Sequence, residues 1–170
     1  MRLSKRLRQR WPNGIAAGAL IFLAANTITA ADERPTCDDR SFREIIGPAT
    51  IAGPLYQKAQ AIAGLTWKDG EFERESFTYI GPVRSENGNL HVTHVATVWG
   101  PSCRQTDRLV LWNANLQYIG HYYGVQMPLR IEGSRLCAGN PGSQSCASFD
   151  NGIPQQLLLE GESFDLSATK

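Results

Sequence analysis

The 170-residue sequence has no glycine-rich phosphate loop and no alternation of strands with helices. Nucleotide-binding folds depend on both features, so their absence argues against a nucleotide-dependent enzyme. A basic surface is also lacking, because residues 32–170 contain 12 basic and 16 acidic residues, a formal net charge of −4. Nucleic-acid binding draws its affinity from Lys and Arg on phosphates. The composition therefore excludes a nucleic-acid binder and a polybasic membrane-surface domain.

Metal and catalytic signatures are missing as well. No two cysteines have the two to four intervening residues that are typical of a structural zinc site. Residues 161–165 place aspartate where a nucleophile elbow requires glycine. His91 and His94 lie three residues apart in a strand pattern, so their side chains point to opposite faces of the strand. We therefore predict no metal and no cofactor, and we assign no catalytic residue.

The amino terminus has the order of a secretory signal: basic residues, an apolar run, then small residues. The apolar run covers about residues 15–25, which is too short to span a bilayer comfortably. Cleavage after Ala31 places Thr29 and Ala31 at the recognised positions, and cleavage after Ala30 or an uncleaved anchor are the alternatives. No adjacent Arg-Arg pair supports a twin-arginine route. We predict that residues 1–31 are a signal peptide for the general secretory route, which leaves no transmembrane segment after processing.

All four cysteines follow this leader, at Cys37, Cys103, Cys137 and Cys146. In an exported chain an even cysteine count indicates disulfides, and four cysteines allow three pairings. Cys137 and Cys146 bracket AGNPGSQS, a run of turn-forming residues that brings its ends together with little strain. We predict that these two cysteines pair with each other and that Cys37 pairs with Cys103. The expected location is the periplasm or the cell exterior, where disulfides persist.

Helix signals are confined to the start of the mature chain. Residues 41–44 match a capping box, which predicts a short helix through Ile46. Pro54 suits the first turn of a second helix, with Gly64 as its stop.

From Leu65 onward the sequence consists of short alternating runs separated by turn residues. Residues 140–154 are the most loop-like part. We predict one domain over residues 32–170 that is mainly β, with about eight short antiparallel strands and one or two N-terminal helices. The strands form a sandwich or a curled, barrel-like sheet, and an α+β fold is the alternative.

Aromatic residues concentrate between positions 99 and 123. Trp and Tyr on a sheet face either pack a core or present a flat surface to a ligand. Trp99 lies at a strand end on the same, more polar face as His91, and Arg104 lies beside it. Alternation places Tyr118 and Tyr122 on one face of a later strand, which we expect near the strand over residues 90–99. The candidate ligand-binding residues are His91, Trp99, Arg104, Tyr118 and Tyr122.

Two further polar patterns have plainer explanations. His94 shares a face with Leu90 and other apolar residues, so it is expected to be buried and bonded to a neighbour. Glu71, Glu73 and Glu75 alternate on one strand face. Neighbouring carboxylates of this kind can bind calcium or act as acid and base in glycoside hydrolysis. A solvated strand face that discourages edge pairing is the interpretation we adopt.

These observations predict an exported, non-catalytic binding protein of the cell envelope. Its partner would be a small molecule, a glycan or an envelope protein. The alternative is a small exported hydrolase in which His91 or His121 works with a nearby carboxylate. Binding of a ligand without its chemical conversion would favour the binding protein over the hydrolase.

The leader makes a direct prediction about the exported protein. Mass spectrometry of the intact protein should find an amino terminus at Asp32 or Ala31, because signal peptidase removes the segment before the small-residue site. An exported protein that still contains residues 1–11 contradicts the assignment.

Overall fold

The computed structural model describes residues 42–63, 65–66, 74–99, 103–140 and 142–168. The predicted signal peptide, Cys37, Glu71 and Glu73 lie outside these residues. The processing site and the pairing of Cys37 with Cys103 therefore stay predictions.

Strands dominate the described part of the chain, as predicted. The elements in chain order are β1 Phe42–Ile46, α1 Ala49–Gln60, β2 Arg74–Ser85, β3 Gly88–Trp99, β4 Arg104–Trp112, β5 Tyr118–Tyr123, β6 Leu129–Glu132, β7 Arg135–Ala138, β8 Ser145–Ser148, β9 Gln156–Leu159 and β10 Glu162–Ser167. The described residues thus contain ten strands where about eight were predicted, and one helix. That part of the chain includes no helix with the length and apolar character needed to cross a membrane.

The strands form two sheets. Seven strands make a large mixed sheet in the order β1-β2-β3-β4-β5-β10-β9, and β6-β7-β8 make a small antiparallel sheet. The large sheet is antiparallel throughout except at β1, which runs parallel to β2. It is open, since β1 stands at one end of the order and β9 at the other.

Each face of the large sheet has its own hydrophobic core. Helix α1 packs on one face, which we call the helix face, where Leu55 and Tyr56 contact Phe77, Val95 and the other residues of that core. The small sheet packs on the opposite face. There Leu129 and Leu136 join a second core with residues of β2, β3, β4 and β9. The large sheet is therefore the middle layer of three.

The predicted short helix over residues 41–46 is wrong, because Phe42–Ile46 is strand β1. Its register places Arg43 beside Glu75 and Ile45 beside Phe77. The capping-box pattern is local, whereas β2 supplies main-chain partners along the whole segment. Pairing with a neighbouring strand outweighs the local signal.

The second predicted helix exists but begins before Pro54. Helix α1 starts at Ala49, and the amides of Ile51 and Ala52 donate to the carbonyl of Pro48 at 3.0 and 2.9 Å. Pro54 therefore lies inside the helix, where a proline costs about 3 kcal/mol. The ring of Pro54 is exposed, and the buried stripe Ala52, Leu55, Tyr56 and Ala59 offsets this cost by packing on the sheet.

The predicted disulfide between Cys137 and Cys146 is confirmed. It joins directly opposite residues of β7 and β8, whose Cα atoms are 4.0 Å apart. No cysteine of the described residues is free. Strand β8 lies inside the segment predicted to be a loop, because its pairing with β7 depends on this cross-link and on packing rather than on its own sequence.

Glu75 corrects the prediction of a solvated acidic face. Its side chain is fully buried on the helix face. The hydroxyl of Tyr56 donates to its Oε1 at 2.7 Å, and Nε of Arg43 lies 3.5 Å from the same oxygen. The Arg43 guanidinium also lies 5.6 Å from the centre of the Tyr56 ring. This cluster ties α1 to the first two strands.

Replacing Tyr56 with phenylalanine should therefore destabilise the fold. Tyr56→Phe removes a hydrogen bond to a buried carboxylate, so we expect the free energy of unfolding to fall by about 1–3 kcal/mol in urea titrations. Tyr123→Phe is the matched control, because that ring is 58% exposed. Equal stabilities of the two variants contradict this role for Tyr56.

Candidate functional site

The structure does not gather the five predicted ligand-binding residues into one cluster. His91 and Trp99 lie near opposite ends of β3. They are eight positions apart along the strand, which corresponds to about 26 Å. Arg104 lies opposite Trp99 at the far end, and it is exposed, whereas the side chain of Trp99 is outside the described part of the structure.

Tyr118 and Tyr122 lie on different faces of the sheet, contrary to the alternation prediction. Tyr118 is opposite Trp112, and Tyr122 is opposite Leu109, with an irregularity of register between them. The bulge adds one residue to β5 and reverses the face of Tyr118. Tyr122 is buried in the core beneath the small sheet, where its hydroxyl donates to the carbonyl of Pro154 at 2.6 Å.

Gly120 lies within this bulge and permits a close approach of β10. A Cβ atom at this position would lie 3.0 Å from the carbonyl oxygen of Ser167 and from Cδ1 of Leu166. A side chain would therefore push β10 away from β5.

His91 and Tyr118 belong to a row of half-buried tyrosine and histidine side chains on the helix face. The row consists of Tyr79, His91, Tyr118 and His121, and we call it the Tyr–His row. The Tyr79 hydroxyl is 2.9 Å from Nδ1 of His91, and the Tyr118 hydroxyl is 2.7 Å from Nδ1 of His121. Both histidines are thus paired with phenols. In the described part of the chain, the histidine that pairs with a carboxylate is His94.

A groove lies on the opposite face of the sheet, beside the small sheet. Its floor is formed by Ser76, Thr78, His94, Ala96, Gln105 and Asp107, from β2, β3 and β4. Gln126 and Met127, which follow β5, form one wall, and Ile46 and Val98 complete it. The volume is about 410 Å³. We call this feature the His94 groove.

Register explains why these residues meet. Ser76, Ala96 and Asp107 are directly opposite one another across β2, β3 and β4, and Thr78 is opposite His94. The small sheet covers the other half of the same face, around Leu90 and Leu111. The floor of the groove is the half that the small sheet leaves open.

His94 and Asp107 are the buried polar pair in this floor. They are 2% and 4% exposed, and Nε2 of His94 lies 3.2 Å from Oδ1 of Asp107 and 3.0 Å from the carbonyl oxygen of Val125. Both neighbours are acceptors, so Nε2 carries the hydrogen. The prediction that His94 is buried and bonded to a neighbour is confirmed.

Gln105 completes the surroundings of the Asp107 carboxylate. Its amide nitrogen Nε2 lies 2.9 Å from Oδ1 and 3.1 Å from Oδ2. The Gln105 residue itself is exposed. The exposed Gln105 amide therefore lies between the buried carboxylate and the open groove.

The remaining groups of the groove can accept or donate hydrogen bonds. Among the described residues, the hydroxyls of Ser76 and Thr78 have no hydrogen-bond partner, and Gln126 is exposed. Ala96 and Val98 add apolar surface between the polar groups. The arrangement suits a small ligand with both polar and apolar parts.

The groove contains no metal-binding cluster. Within the described residues, the group with suitable metal-ligand spacing is Glu132 with Cys137 and Cys146. Those two cysteines form a disulfide and are not thiolates, which are the form that binds metal.

Sequence reasoning missed Asp107, Gln105 and the two residues after β5. The structure shows what the sequence did not, the β3–β4 register, in which Ala96 is opposite Asp107, so that His94 lies diagonally beside it. Diagonal neighbours on one face of a sheet are within reach of long side chains. Without the register, the aromatic residues were the stronger pattern.

The Tyr–His row makes stability depend on pH. Burial lowers the pKa of His91 and of His121 from the ordinary value of 6.5, and the charge of Arg108 lowers that of His121 further. The folded protein thus favours neutral imidazoles, and the unfolded chain takes up these protons first as the pH falls past about 6.5. We expect the free energy of unfolding, measured in urea, to decrease from about pH 7 to pH 5.

His121→Asn isolates this contribution, because asparagine keeps a polar group near Tyr118 but does not titrate. The variant should lose less stability than the unmodified protein over the same pH interval. Identical losses would show that His121 does not contribute.

Comparison with known proteins adds nothing to the geometry of this site. No known protein family, no curated protein and no solved structure matches this chain. Its function must therefore be argued from its own groups.

Proposed function

We propose that the mature domain is an exported, non-catalytic binding protein of the cell envelope that holds a small molecule in the His94 groove. The observation that carries this proposal is the groove itself, an open space of about 410 Å³ whose floor contains a buried His–Asp pair. Ligand pockets for small molecules fall in the range of about 300–1,000 Å³ and combine apolar walls with a few placed polar groups.

The polar groups of the groove support binding more than catalysis. A general base needs a lone pair directed at its substrate. Because Nε2 of His94 carries a hydrogen that faces Val125 and Asp107, a base at His94 would act through Nδ1, and no hydrogen bond from Thr78 to His94 prepares a nucleophile there in the described structure. Both oxygens of Asp107 already accept hydrogen bonds from Gln105.

One observation favours the hydrolase as a second candidate. Thr78 lies directly opposite His94 across β2 and β3, and Asp107 lies on the other side of the imidazole. A nucleophile, a base and a carboxylate would then be neighbours. No hydrogen bond joins Thr78 to His94 in the described structure, so we rank this candidate second.

Export is supported by two independent features. The sequence begins with the basic and apolar pattern of a secretory leader. The described structure contains a disulfide between Cys137 and Cys146, which is compatible with an oxidising compartment.

The test uses the mature protein, incubated with envelope extract, isolated and analysed by native mass spectrometry. The unmodified protein should retain a small molecule. Ala96→Phe should lose it, because the added ring fills the floor of the groove. Ser163→Phe adds the same ring at an exposed position of β10 and should retain the molecule.

Thermal unfolding of each variant confirms that the fold is intact before binding is compared. Equal retention by Ala96→Phe and the unmodified protein would remove the groove from the proposal. Conversion of the bound molecule, abolished by Thr78→Val, would favour the hydrolase instead.

A further inference from the structure

We propose that the ligand of the His94 groove carries a primary ammonium group, which replaces the Gln105 amide at the Asp107 carboxylate. This inference rests on the proposed function and specifies the chemical class of its ligand. It follows from the charges of the groove, the position of Gln105 and the apolar residues beside it.

Among the described side chains that line the groove, one is a carboxylate and none is a Lys or an Arg. Of the residues that line it, Asp107 is the acidic one and His94 the other titratable one. Arg108 follows Asp107 in the chain and interacts with it electrostatically, but its guanidinium lies 5.5 Å from the ring centre of Tyr123 on the helix face. A buried carboxylate with no Lys or Arg among its described groove neighbours favours a cationic ligand over an anionic one.

Gln105 occupies the position that a cation would take. One nitrogen that lies 2.9 and 3.1 Å from the two oxygens of a carboxylate is placed between both acceptors. An ammonium nitrogen at the same point would keep hydrogen bonds to both oxygens and add the attraction between its own charge and the carboxylate, which the neutral amide lacks. Because Gln105 is exposed, its side chain can rotate into solvent when a ligand enters.

The apolar residues near Asp107 indicate what the rest of the ligand is. Ala96 is directly opposite Asp107, and Val98 and Met127 also line the groove. An alkyl chain attached to the ammonium group would contact these side chains. The structure therefore points to a short alkylamine.

Isothermal titration calorimetry with three ligands of equal chain length tests the inference. The probes are n-pentylamine, n-pentanol and pentanoate. We expect n-pentylamine to bind at least about tenfold more tightly than n-pentanol, because only the amine carries a charge opposite to that of Asp107, and pentanoate not to bind.

Two groove variants and one control complete the design. Asp107→Asn should weaken n-pentylamine binding at least about tenfold, because the charge is lost but the shape is kept. Gln105→Ala should tighten it, because the competing amide is gone. Asp165→Asn should change nothing, since Asp165 is an exposed aspartate that accepts from Gln156 in the same way, at 3.1 Å, outside the groove.

Equal affinities for the amine and the alcohol would overturn the inference. Unchanged or weaker amine binding by Gln105→Ala would also overturn it, and this variant decides the matter if Asp107→Asn does not fold. If Ala96→Phe abolishes retention of an envelope molecule while n-pentylamine fails to bind, the ammonium inference falls and the proposed function stands.

Discussion

The central strands of the large sheet are covered on both faces, so polar side chains on them need partners inside the protein. Helix α1 covers one face and the small sheet covers much of the other. A buried polar group without a hydrogen bond costs about 1–3 kcal/mol. Among the side chains that the structure describes, the sheet nevertheless buries seven that are polar or charged, namely Glu75, Thr93, His94, Thr97, Thr106, Asp107 and Arg108. Much of the specific side-chain bonding in this fold answers that requirement: Tyr56 bonds Glu75, and Trp112 donates to Thr93 at 2.9 Å.

The candidate site lies where a buried polar side chain that needs a hydrogen-bond partner is next to the edge of the small sheet. On the helix face, Oε1 of Glu75 accepts from Tyr56 of α1 and lies 3.5 Å from Nε of Arg43 of β1, whereas Oε2 is buried without a hydrogen-bond partner. On the opposite face, the small sheet ends before it reaches Asp107. The carboxylate is therefore buried by its neighbours yet lies next to an open groove. Elsewhere in the core, buried polar side chains such as Glu75 are bonded by other core side chains. At Asp107 one partner is the exposed Gln105, whose position a ligand can fill.

The sequence predicted most strands because alternation and turn residues are local signals, as at the β2–β3 turn and around Asn113. It also predicted the Cys137–Cys146 disulfide, which depends on a short turn-rich loop. It failed at β1, where a distant strand decides the structure, and at Glu75, where alternation could not show that a helix covers the acidic face. Alternation also assumes an unbroken strand, so the bulge beside Gly120 reversed the predicted face of Tyr118. The groove depends on register across three strands and on the loop after β5, and neither is visible in a single sequence.

The wall and floor of the groove are joined by the same residues that would bind a ligand. His94 donates to the carbonyl of Val125, and the amide of Gly124 donates to the main-chain oxygen of Asp107 at 2.8 Å. The loop after β5 is thus fixed to the floor before a ligand arrives, and Gln105 is the group that must move. Displacing Gln105 breaks its hydrogen bonds to the Asp107 carboxylate, and those of an ammonium group replace them, so the gain and the loss largely cancel. A bare ammonium ion would therefore bind weakly. Each methylene buried against Ala96 and Val98 adds about 0.8 kcal/mol, so the affinity of an amine should rise with its alkyl chain until the groove is full.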